Sequence, residues 1–130
     1  MGLIEKRLIK QGTEEWVPEA QTELREVTGS EQVYAVEWNT FETDEAALNN
    51  VRNQGLRRIT AAFRVVCADS LGQEAVKEQV QKVVVRNTDT PAKKGMSLKD
   101  GTFTLVAAYG KGDTGYYSDN EIIAWLQRAL

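Results

Sequence analysis

The stretch Arg57-Arg58-Ile59-Thr60-Ala61-Ala62-Phe63-Arg64-Val65-Val66-Cys67-Ala68 decides how this chain is read. Taken with a period of two, Ile59, Ala61, Phe63, Val65 and Cys67 form an apolar face. Arg58, Thr60, Ala62, Arg64 and Val66 then form a mixed one. That alternation is the mark of a half-buried antiparallel strand. Taken with a period of 3.6, Leu56, Ile59, Phe63 and Val66 make a helical stripe instead. The β-branched content favours the pleated backbone, so a strand is expected over 57–68.

Working outward, Val33, Tyr34, Val36 and Trp38 predict a strand over 32–38, and Val83, Val84 and Val85 predict another over 81–86. Residues 96–99 and 102–109 flank Asp100-Gly101, a two-residue hairpin signal. Such a turn pairs Lys99 with Thr102, Leu98 with Phe103 and Met96 with Leu105, and the pattern agrees on one apolar face.

Helices are expected over 14–27, with Trp16, Ala20, Leu24 and Val27 as the inner stripe, Pro18 near the start and Gly29 past the end. A second starts at a Thr43 cap, buries Ala47, Leu48 and Val51, and ends at Gly55. A third covers 71–79 behind Asp69 and Ser70. The last opens with a Ser118/Glu121 capping box and carries Ile122, Trp125, Leu126 and Ala129. The expected fold is a single α+β domain over 1–130. Its sheet is largely antiparallel, with a mixed sheet as the variant, and has four to six strands. Three to four helices pack mainly on one face. The ending is similar in outline to the C-terminal half of thioredoxin-like folds. It lacks their Cys-x-x-Cys redox motif and identifies no family.

Composition excludes much chemistry. The 130 residues are 42% hydrophobic and 27% charged, ordinary values for a folded domain. A membrane-spanning helix needs about 20 consecutive apolar residues, and none is present. The first ten residues lack the apolar centre of a signal peptide. Lys6 occupies the position where a myristoylation motif after Gly2 needs Ser or Thr. The lone Cys67 forms no internal disulfide and no cysteine-based zinc site. A cytoplasmic setting is therefore expected. Histidine is absent, which removes the Ser-His-Asp triad, the Cys-His pair and the HExxH zinc helix.

The net charge of −3 hides an asymmetry. Residues 13–50 carry −9, while 1–12 carry +2 and 51–130 carry +4. This reads either as an acidic face for a basic partner or as one well-solvated helix.

Gly110-Lys111-Gly112-Asp113-Thr114-Gly115 matches G-x-G-x-x-G. A dinucleotide site needs those glycines at a helix start, whereas the expected helix begins only at Ser118. Asp69 reads as a helix cap, Glu37 and Asp69 as a conceivable carboxylate pair, and Cys67 as a buried hydrophobe. Aromatics near loops, Tyr34, Trp38, Tyr116 and Tyr117, are candidate contact residues, with Arg64 on the mixed face of the 57–68 strand. No catalytic residue, cofactor or metal site is expected.

Three functional classes remain. The first is a non-catalytic interaction or small-ligand-binding module that self-associates through an apolar sheet edge or the C-terminal helix. Its partner is a second copy in a homodimer, another protein or a small molecule. The second is a small enzyme working with Asp, Glu or Tyr. The third is single-stranded nucleic-acid binding, which an acidic chain disfavours. No membrane partner is expected.

Overall fold

Residues Arg57–Val66 form a helix, not a strand, in the computed structural model, which describes all residues Met1–Leu130. Ile59, Thr60, Ala62 and Phe63 are all buried there, together with the flanking Leu56 and Cys67. A strand would place Thr60 and Ala62 on the face opposite Ile59 and Phe63. A helix gathers all of them on one side. Val65, which the alternation assigned to the core, is 50% exposed. Burying a Leu, Ile or Phe side chain is worth about 1.5–3 kcal/mol, while β-branching lowers helix propensity by less than about 1 kcal/mol per residue. Packing therefore overrides local preference.

That one change alters the sheet. The strands are β1 (Val33–Val36), β2 (Lys82–Asn87), β3 (Gly95–Lys99) and β4 (Thr102–Ala107). The chain between β1 and β2 is entirely helical or loop, and such a crossover returns the chain parallel to where it left. The order is β1-β2-β4-β3; β1, β2 and β4 run parallel, and only β3 is antiparallel to its neighbour. The sheet is thus mixed and mostly parallel rather than largely antiparallel, and four strands is the low end of the expected range.

The helices group into four rods. α1 (Leu3–Gln11) continues through a π turn at Gly12–Trp16 into α2 (Val17–Thr28). α3 (Glu45–Asn50) continues through a second π turn at Val51–Leu56 into α4 (Arg57–Val66). Gly55 lies inside this second turn and does not end the helix. A side chain there would come 2.9 Å from the Tyr109 hydroxyl, so the glycine serves close packing. Asp44, not Thr43, caps α3, accepting from the Ala47 amide at 3.0 Å.

α5 (Ser70–Gln79) is capped by Asp69, and α6 (Asp119–Ala129) by the Ser118/Glu121 box. Gly29 ends α2 in the left-handed conformation (φ 71°). The hairpin forms in the expected register, with Asp100 and Gly101 both at positive φ. Tyr34, Val83, Val85, Phe103 and Leu105 line the helix-covered side of the sheet, within one cluster of 24 buried residues. Lys82, Arg86, Ser97 and Lys99 are exposed and alternate with the buried positions, on the opposite side.

Candidate functional site

The five residues singled out from sequence do not converge on one site. Tyr34 is 3% exposed; its hydroxyl lies 2.9 Å from Thr60 Oγ1 and donates to the Leu56 carbonyl at 3.3 Å. Burial pushes its phenol far above the ordinary range. Arg64 is on the surface of α4, 2.8 Å from Glu23 of α2. Trp38 follows β1, half-buried, with its ring laid across the bare backbone of Gly12.

Tyr116 is buried, its ring beneath the Arg58 guanidinium at 5.3 Å. Tyr117 is half-buried with the Lys94 ammonium 4.8 Å from its ring centre, and burial raises its phenol pKa. Trp38 and Tyr116 do share one row. Trp38 meets Phe41 at 5.7 Å, Phe41 stacks on Tyr109 at 6.1 Å, and Tyr109 on Tyr116 at 6.4 Å. Phe41 and Tyr109 are fully buried, so this row fills the ends of the parallel strands as core.

The polar candidates are each engaged elsewhere. Asp69 accepts from the Gly72 amide at 2.8 Å as an N-cap. Glu37 takes two hydrogen bonds from Arg86, at 2.6 and 2.8 Å, which hold its carboxyl below the usual range. Each carboxylate thus has its own partner. The Gly110–Gly115 segment forms a short turn, and α6 starts only at Asp119. Cys67 is buried, and desolvation pushes its thiol up.

The acidic stretch is partly answered within the molecule. Glu19 meets Arg52 at 3.2 Å and Glu23 meets Arg64, so acidic α2 lies along the basic α3–α4 rod.

Sequence reading missed the contrast between the two sheet edges. At the β1 edge, the Tyr34 amide donates to the Gln21 side-chain oxygen of α2 at 3.1 Å. At the other edge, β3 has no neighbour beyond β4. In a two-residue hairpin the residues flanking the turn bond each other. Lys99, Ser97 and Gly95 therefore bond to β4, and the backbone groups of Met96 and Leu98 point away from it. No side chain takes them up. Next to this edge an open groove of about 410 Å³ runs between the hairpin and α6, lined by Leu98, Asp100, Gly101, Trp125 and Ala129 among others. The apolar pair Met96 and Leu98 was legible from sequence. That no further strand would cover β3 was not, because strand order is a long-range property.

No helix is long and apolar enough to cross a membrane. Compared with known proteins, the chain matches no family model, and neither the curated proteins nor the solved structures hold a match.

Proposed function

We propose that this chain is a non-catalytic interaction module that self-associates, and that the edge of β3 is where it docks. The bare edge carries the reading. An unpaired strand edge is a template for another strand, and folded chains generally blunt theirs. Here Gln21 takes up one amide at the β1 edge, and the β3 edge is left open beside a mostly polar groove into which Leu98 and Trp125 set an apolar patch. Strand addition to such an edge draws affinity from backbone hydrogen bonds and specificity from the flanking side-chain pockets.

The enzyme reading gains no support. Tyr34 and Tyr109 are enclosed with strongly raised phenols, and Glu37 and Asp69 are occupied by Arg86 and an amide. The nucleic-acid reading lacks an exposed aromatic platform, since Tyr34 and Tyr116 are buried core and Trp38 and Tyr117 are half-buried against it.

Sedimentation over a range of concentrations tests the proposal. Association that strengthens with concentration is expected. Met96→Pro removes an amide that faces solvent in the free chain, so the variant should stay folded by circular dichroism yet sediment as a monomer. A wild-type chain that is monomeric at its highest soluble concentration overturns the reading.

A further inference from the structure

We infer that the occupant of the β3 edge is β3 of a second copy, paired antiparallel about a two-fold axis through Ser97. This rests on the reading of β3 as the docking edge. Two copies meeting at that edge would join their sheets into one of eight strands.

The register follows from backbone parity. Only Met96 and Leu98 present outward amides and carbonyls, so each must face Met96 or Leu98 of the other copy. Three symmetric registers set at least one of the two opposite such a residue, centred on Met96, Ser97 or Leu98, and only the Ser97-centred one does so for both. The Met96-centred one sets Lys99 opposite Lys93 of the other copy, and like charges directly opposed are destabilising. The Leu98-centred one overlaps only the end of β3 and leaves its start unpaired.

The Ser97-centred register avoids both faults. It overlaps all five residues, Gly95–Lys99. Met96 faces Leu98 of the other copy twice over, giving two hydrogen-bonded pairs and an apolar contact on the groove side. Lys99 faces Gly95, where a side chain would meet nothing within 4 Å, so the lysine stem has room. Lys94 falls opposite Asp100, an opposite-charge pair made twice. The half-buried Leu98 and Trp125 of each copy lie beside the new contact.

Disulfide trapping tests the register. In the Ser97-centred pairing the two Ser97 residues form a non-hydrogen-bonded pair with Cα atoms about 4.5 Å apart, within the span of a disulfide. Ser97→Cys should give a covalent dimer on mild oxidation. Met96→Cys and Leu98→Cys should not, because each sits two residues out of step with its own copy, roughly 8 Å or more away. Peptide mapping assigns the crosslink, and Cys67, being buried, should not take part.

A dimer that crosslinks through Met96→Cys or Leu98→Cys instead overturns the register but leaves the docking edge standing. A dimer that crosslinks through none of the three, and survives Met96→Pro, overturns both the register and the edge. Absence of any dimer, covalent or not, overturns self-association itself.

Discussion

Gly72 is the third residue of α5, and ordinary helix energetics would make it a good place for alanine. Gly→Ala in a helix interior is worth about 1 kcal/mol of stabilisation. The structure reverses the sign. A Cβ at Gly72 would overlap the carbonyl oxygen of Val66, the last residue of α4, and lie 2.8 Å from its carbonyl carbon. Both are backbone atoms, so no rotamer change relieves the clash. Either α5 moves off α4 or the cap breaks, since the Gly72 amide also binds Asp69. Phe63 of α4 and Val76 of α5 are fully buried, so the helices cannot part without opening the core.

Overpacking costs about 1–3 kcal/mol and sometimes more, and a clash with backbone belongs at the upper end. Set against the propensity gain, Gly72→Ala should cost about 2 kcal/mol net. For a chain of this size that is a fall in Tm of roughly 6–10 °C. Urea and thermal unfolding by circular dichroism at one fixed protein concentration measure it, the fixed concentration being needed because association would add stability. Leu71→Ala is the control. That side chain is 77% exposed on the same turn and should shift stability by less than about 0.5 kcal/mol. A Gly72→Ala variant as stable as the wild type, or more so, would refute the argument.

Two further changes probe the polar contacts. Asn87 is 6% exposed; its amide donates to the Thr40 carbonyl and Asp44, and its oxygen accepts from the Tyr109 amide at 3.1 Å. Asn87→Ala strands that buried amide and should cost about 2–4 kcal/mol in urea unfolding, and a loss under about 0.5 kcal/mol would show the network to be dispensable. The Arg86 hydrogen bonds depress the Glu37 pKa below its ordinary 4.5. The folded state thus holds that proton less readily than the unfolded state. The pair's contribution is present above pH 4.5 and fades as pH falls through the folded value. Arg86→Met should lose about 0.5–1 kcal/mol at neutral pH and approach the wild type in acid; two parallel stability–pH curves would contradict this.

What could be read from sequence was mostly local. Asp100-Gly101 specifies its own turn, because few residue pairs accept positive φ at both positions, and the hairpin register followed. The caps at Asp69 and Ser118 were equally legible, each acting over three residues. Residues 57–68 failed because their apolar side chains satisfy both periods, and only packing against α2 and α6, with Phe63 against Phe103 and Thr60 against Tyr34 of the sheet, chooses between them. The parallel sheet was lost with that choice. Gly55 was misread for a related reason: its role is set by Tyr109, far along the chain. The aromatic candidates were half legible. Their residue types are those of contact surfaces, yet the same types fill cores, and Tyr34 and Tyr116 proved to be core. The open edge of β3 had no local signal at all.

The Gln21 side chain has a consequence beyond its one hydrogen bond. A sheet with two open edges has no reason to stop growing. Each added copy exposes the same template again, and the product is a fibre. By occupying the Tyr34 amide, Gln21 makes the two ends of this sheet unequal. On the proposed pairing through β3, each copy spends its unneighboured β3 edge, and the end left over is the β1 edge, where Gln21 holds the Tyr34 amide. On that pairing, the glutamine on α2 bears on whether the complex stays finite or grows. Replacing it would put solubility at risk before it touched stability.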